Sequence, residues 1–219
     1  MNIDYVTIDL EGDALSRDIN KKIFPEGGHY DPETRLWCMT MYNGDRNITY
    51  VCKLPEEPRK LPNGRKTKAV HYSGTKVPSM IDKYNIHSFN DYKEFIESIH
   101  KLIENARNHG FKVFFRGYGN YDYDKDMLEM KFKEMSLNTD ILDCMVNINK
   151  HMSIEWPKTS AQVTTGKWMD NQEYMIHGIR HNIEDSIQLY DLIKETSFRE
   201  RLERAAEEHK AALDYLKDK

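Results

Sequence analysis

The chain has 219 residues, 39% of them apolar and 31% charged, with a net charge of −4. That length supports one well-packed domain, and the acid excess argues against indiscriminate electrostatic binding to nucleic acid. No apolar run approaches the roughly 20 residues of a bilayer-spanning helix, and the N-terminus lacks the basic-then-apolar layout of a secretory signal.

Three cysteines, Cys38, Cys52 and Cys144, have no metal-binding spacing and form no even disulfide set. The expected setting is a reducing cytoplasm, with no membrane partner.

Residues 4–10 predict the first strand, because Val6, Ile8 and Leu10 recur at the strand period. Asp9 and Glu11 fall side by side on the opposite face, since alternate side chains of a strand point the same way. Two carboxylates held together near a core are costly unless a cation accompanies them. "RLWCMTMYN" and "NITYVCKL" flank the turn "NGDRN" and predict an antiparallel hairpin. A turn centred near Asp45 sets Cys38 opposite Cys52.

Residues 55–79, with Pro55, Pro58, Pro62, Gly64, Gly74 and Pro78, predict a loop-rich insertion. From Pro58 to Lys76 it carries six Lys or Arg and no acid, which suits a phosphate-contacting arm or a solvated loop. A helix is predicted from about Asp91 to His109. Phe95, Ile96, Ile99, Leu102, Ile103 and Ala106 line one face, Asn90 or Ser88 caps the start, and Gly110 ends it. "FKVFFRG" predicts a short apolar strand, and "DKDMLEMKFKEM" a helix carrying Met127, Leu128, Met130 and Phe132. "TDILDCMVNI" fits either another strand or the opening of a short helix, and residues 149–169 read as irregular.

"DNQEYMIH" predicts a short helix stopped by Gly178, with a separate helix from about Ile183 to Lys194. Asn182 has capping spacing to Asp185, which places His181 just before that second helix. Ser197 and Glu200 have capping-box spacing, and Phe198, Leu202, Leu213 and Leu216 follow at helical spacing. Residues 195–219 are therefore expected as a helical extension packed on the domain, with a homodimer through this stripe as the alternative. A hairpin followed by alternating helix and strand indicates an α/β domain, a mixed sheet flanked by helices.

The acids form a set. Asp9 and Glu11 come first, then Asp122, Asp124 and Asp126, and then Asp185, four residues after His181. In α/β sheets, groups just beyond strand ends gather along one edge. Acids converging there call for divalent cations, and oxygen-only ligand sets select hard ions such as Mg2+ or Mn2+.

These segments resemble the motifs of the DnaQ-like 3′–5′ exonucleases of the DEDDh type. "IDLEGD" resembles the family's first motif, Asp-x-Glu at the end of the first strand. "GNYDYDKDML" resembles the second, with Asn120, Asp124 and Leu128 in its places. "HNIED" resembles the third, a His shortly before an Asp, and "ILDCM" with Asp143 is similar to the strand-and-acid segment between the second and third. The motifs arrive in family order across residues 4–194.

The resemblance implies a ribonuclease H-like fold, a mixed sheet with an antiparallel hairpin plus parallel strands, and an exonuclease domain over residues 1–194. It implies two Mg2+ or Mn2+ ions held by Asp9, Glu11, Asp124 and Asp185, with His181 accepting the proton of the attacking water. It further implies a substrate, the 3′ end of single-stranded DNA or RNA, shortened to nucleoside 5′-monophosphates. The layout is similar to that of small stand-alone phage or bacterial exonucleases.

Two features depart from the family. Three residues separate His181 from Asp185 where the family has four, and Asp122 competes with Asp124 for the second motif. The Asn120 and Leu128 spacings favour Asp124. Around the site, Gly12 would allow close backbone approach to the scissile nucleotide and Leu15 could wedge against a base. Tyr118 and Tyr121 border the second motif and are candidates for base stacking, ahead of Tyr123, Trp156 and Trp168. His177 is a second candidate base. Its spacing to His181 is that of a metal pair, but the intervening "GIR" lacks the Glu of a zinc protease and Gly178 is expected to part them. Two alternatives stay open: a non-catalytic nucleic-acid-binding protein on the same fold, and an endonuclease of the ribonuclease H type.

Overall fold

The computed structural model describes residues 4–13, 33–53, 60, 85–117, 122–150 and 171–195, with side chains from 176 onward in the last segment. Leu15, Tyr118, Asn120, Tyr121, Trp156 and Trp168 lie outside the described residues, as do nearly all of the 55–79 insertion and the 196–219 extension.

Six strands form one sheet: β1 (Tyr5–Gly12), β2 (Leu36–Tyr42), β3 (Asn47–Cys52), β4 (Ile86–Phe89), β5 (Lys112–Phe115) and β6 (Met145–Asn147). Their spatial order is β4-β3-β2-β1-β5-β6. The β1–β2 and β2–β3 pairs are antiparallel, whereas β1–β5, β5–β6 and β3–β4 are parallel. This is an α/β mixed sheet flanked by helices, and its strand order is compatible with a ribonuclease H-like arrangement. Among the described residues, no helix is long and apolar enough to cross a membrane.

The two sheet faces are covered by different helices. Val6, Ile8 and Leu10 pack with Met39, Met41, Val113 and Phe115 against α1 (Tyr92–Asn108) and α2 (Tyr123–Glu134). Tyr5, Phe114, Val146 and Ile148 pack on the other face with Leu189 and Ile193 of α3 (Asn171–Lys194). Each strand of this set thus sends alternate residues into two separate cores, as the pleat requires.

Several sequence expectations are corrected. The cap of α1 is Asp91, whose Oδ1 accepts from Glu94 N at 2.9 Å. Ser88 instead lies on β4, a strand of four residues that the sequence reading did not predict. Gly110 does end α1, in the left-handed region at φ 78°. The hairpin pairs Cys38 with Val51, one residue from the expected register, because Asn43–Arg46 closes a four-residue loop. The Asn43 side chain accepts from the backbone N–H groups of Asp45 and Arg46. A one-residue shift moves side chains to the other face, so the Cys38 and Cys52 thiols do not meet. "TDILDCMVNI" contains both elements considered, a 3-10 turn at Asp140–Cys144 leading directly into β6.

The largest difference is α3, a single helix of 24 residues running through Gly178. Gly178 does not stop it, and its missing Cβ is what seats the helix on the sheet. A Cβ there would lie 2.7 Å from the Trp37 ring, and Trp37 itself is only 1% exposed. Close helix–sheet contact outweighs the roughly 1 kcal/mol propensity cost of a mid-helix glycine. Consequently His177, His181 and Asn182 are all interior residues of one helix, and Asn182 is not a cap.

Candidate functional site

β1 supplies the first acids. Its register places Asp9 across from Thr40 and Glu11 across from Cys38. Both acids belong to the face covered by α3, where Thr7 Oγ1 donates to Ser186 O at 2.7 Å. The strand then ends tightly: Asp13 is 5% exposed and its carboxylate meets the Arg35 guanidinium at 2.7 Å. A Cβ on Gly12 would stand 2.9 Å from Thr34 Cγ2. Packing against Thr34 therefore explains the glycine without reference to a ligand.

α2 brings Asp124 to the same end of the sheet, in its first turn. Asp122, the competing acid, points elsewhere. Its Oδ1 accepts from Asn147 Nδ2 at 2.8 Å, and its other oxygen pairs with Lys150. Asn147 Oδ1 also accepts from Gly117 N at 3.0 Å. This 4%-exposed amide therefore ties β6, the end of β5 and the start of α2 together. Asp143, on the 3-10 turn before β6, forms a bidentate pair with Arg107 of α1 at 2.8 and 2.9 Å. Its role in the structure is to anchor that helix. Tyr123 packs against the core beneath α2.

α3 contributes His181 and Asp185. His181 Nδ1 lies 3.3 Å from Glu11 Oε1, and Nε2 lies 3.6 Å from Asp185 Oδ2. The first contact is at ion-pair distance without hydrogen-bond alignment. His177, one turn earlier, has its ring centroid 6.3 Å from that of His181.

The electrostatics of the cluster are those of crowded anions. Loss of water raises the Asp9 carboxyl well above its ordinary range, and Asp124, Glu11 and Asp185 raise it further; Arg116 pulls it down. Burial, then Glu11, likewise raises Asp124. Contact with Glu11 raises the His181 imidazole against the opposing effect of burial. His177 moves the other way, lowered by burial and by His181. Asp9 Oδ2 and Asp124 Oδ2 are buried with no hydrogen-bond partner among the described residues. Such oxygens are rare in folded proteins, and each calls for an explanation in a water, an ion, stored strain or a catalytic role.

Arg116 was not picked out by the sequence reading. It directly follows Phe115, which pairs with Ile8, so it lies just past the end of β5, within electrostatic reach of Asp9. Burial lowers its guanidinium, while Asp185 and Asp9 raise it. A charged residue closing the apolar run "FKVFF" was the available signal. Asn182 was also misread: it is fully buried, and neither amide atom has a partner among the described residues.

Asp9, Glu11, Asp124, His181 and Asp185 thus converge from β1, α2 and α3 on one end of the sheet. No protein-family model matches the chain, and no curated protein matches its sequence.

Proposed function

We propose that the protein is a metal-dependent 3′–5′ exonuclease of the DnaQ-like, DEDDh type, acting on the 3′ end of single-stranded DNA or RNA. One observation carries the reading: acids from three separate elements meet at one sheet end, and buried oxygens of Asp9 and Asp124 have no partner among the described residues. The donor set fits hard divalent cations. Asp9, Glu11 and Asp124 would hold Mg2+ or Mn2+, with Asp185 the fourth acid that the resemblance adds for a pair of ions.

Bound there, the cations would supply the positive charge that the acids lack and stabilise charge on the phosphate oxygens. In the reaction a water oxygen bonds to the terminal phosphorus and the bond to the neighbouring 3′-oxygen breaks. A nucleoside 5′-monophosphate departs, and the shortened strand keeps a 3′-hydroxyl. The resemblance gives the water's proton to His181, which the fold holds between Glu11 and Asp185. A cytoplasmic setting suits this reading, since Cys38, Cys52 and Cys144 are all buried free thiols.

The test is digestion of 5′-labelled single-stranded DNA and RNA with Mg2+, Mn2+ or EDTA, beside Asp9→Ala and His181→Ala. The expected result is a ladder shortening from the 3′ end, with mononucleotide products. EDTA and Asp9→Ala abolish it, and His181→Ala slows it. Internal fragments would reassign the chain to the endonuclease class. Digestion indifferent to both EDTA and Asp9→Ala would overturn the metal reading.

A further inference from the structure

Within the continuous α3, His181 turns both ring nitrogens to carboxylates, Nδ1 to Glu11 at 3.3 Å and Nε2 to Asp185 at 3.6 Å. Among the described residues, Asp9, Glu11 and His181 have ligand atoms that all lie within 4.8 Å of one another. Neighbouring ligand atoms on an octahedral ion with bonds of about 2.1 Å are about 3 Å apart. His181 Nδ1 and Glu11 Oε1 are 3.3 Å apart. Nδ1 is buried and makes no aligned hydrogen bond among the described residues.

Two further observations bear on the same point. Asp185, one helical turn on, faces the second ring nitrogen at 3.6 Å. Metal-ligating histidines usually turn their other nitrogen to a carboxylate or carbonyl, which fixes the tautomer and the ring angle. Asp124, 5% exposed, has a buried Oδ2 with no partner among the described residues and feels the charge of Glu11. Outside the trio, a further buried carboxylate therefore lies within electrostatic reach of Asp9 and Glu11.

We infer that His181 binds a metal ion directly through Nδ1, together with Asp9 and Glu11, and that this site prefers Mn2+ to Mg2+. The inference rests on the proposed reading that divalent cations occupy the cluster. Mg2+ takes oxygen ligands and keeps its waters, whereas an imidazole nitrogen favours first-row transition ions. His181 is then a ligand in place of the proton acceptor that the resemblance makes it. Asp185 is then a positioning residue that holds the ring, in place of the ion ligand that the resemblance makes it.

The test uses the full chain with Mn2+ and pulsed electron paramagnetic resonance, which detects an imidazole nitrogen bonded to the ion. The wild type should show nitrogen modulation. Asp9→Asn should lose the bound ion, and His181→Gln should lose the modulation. Competition with Mg2+ should show the Mn2+ preference falling at least about tenfold in His181→Gln. Asp185→Asn should keep the modulation and weaken Mn2+ binding about 10–100-fold. Melting curves of each variant in EDTA establish that it is folded.

Mn2+ bound in the wild type, removed by Asp9→Asn, yet without nitrogen modulation would overturn the inference. The two readings separate cleanly. Modulation without strand hydrolysis keeps the ligand assignment and removes the exonuclease. Hydrolysis without modulation does the reverse.

Discussion

Val6, Ile8 and Leu10 bury one face of β1 against α1 and α2, whereas Thr7, Asp9 and Glu11 on the other face meet α3. The same eight-residue strand therefore contributes to two environments that differ in how completely they are satisfied. On the first face every group is apolar and packed. On the second, Thr7 finds a carbonyl on α3, but toward the strand's end the acids outnumber the cations beside them. Apolar packing fills one face along the strand, and incompletely partnered charge gathers on the other. The acid face is the costly one, because like charges there share a site poor in water.

The sharpest contrast comes from one residue of each environment. Ile8→Ala should lower stability by about 2–5 kcal/mol in urea unfolding, since Ile8 is fully buried and its neighbours can only partly collapse. Asp124→Asn should have the opposite sign in EDTA. It removes a buried charge that lacks a partner among the described residues, and should raise metal-free stability by about 1–3 kcal/mol. In Mn2+ the same variant should lose the stabilisation that the ion gives the wild type. A destabilised Asp124→Asn in EDTA would mean that the carboxylate is already well partnered in the metal-free protein.

Gly178→Ala tests how closely α3 is seated. Its Cβ would meet Trp37 at 2.7 Å. Overpacking of about 1–3 kcal/mol should outweigh the helix-propensity gain, visible as a lower melting temperature. Arg107→Ala should cost least, under about 1 kcal/mol, because its bidentate pair with Asp143 is well exposed.

The pH dependence follows from the raised groups. For Asp9 and Asp124 the folded pKa exceeds the unfolded value near 3.8. Their contribution to stability is full below that value and lost as pH rises through the elevated folded values. His181 acts in the same direction, above its unfolded value of 6.5. Metal-free protein should therefore lose stability through these windows as pH rises, and Asp9→Asn should flatten the acidic part of the slope. Ion affinity should rise over the same span, because bound protons and bound cations compete.

Much of this was legible in the sequence. Alternation in "VTIDLEGDAL" marks β1 and its two acids, and the turn at "NGDRN" marks the hairpin. The helical period around Phe95, Ile99 and Ile103 marks α1. What stayed hidden depends on contacts across the fold. Gly178 reads locally as a helix stop, whereas in the fold it lies inside α3 against the Trp37 ring, where a Cβ would clash. The position of His181 within α3 follows from that continuity, so it could not be read from spacing. The hairpin register turned on the Asn43 side chain bonding its own loop. Arg116 gains its meaning only when β5 is laid beside β1.

Calorimetric titration of Mn2+ into EDTA-stripped protein, beside Asp9→Asn, tests the central claim most directly. Saturable binding by the wild type, accompanied by a higher melting temperature and lost in Asp9→Asn, is the expected result. Equal binding by both proteins, or none by either, would contradict the claim that the acid face of β1 is a cation site.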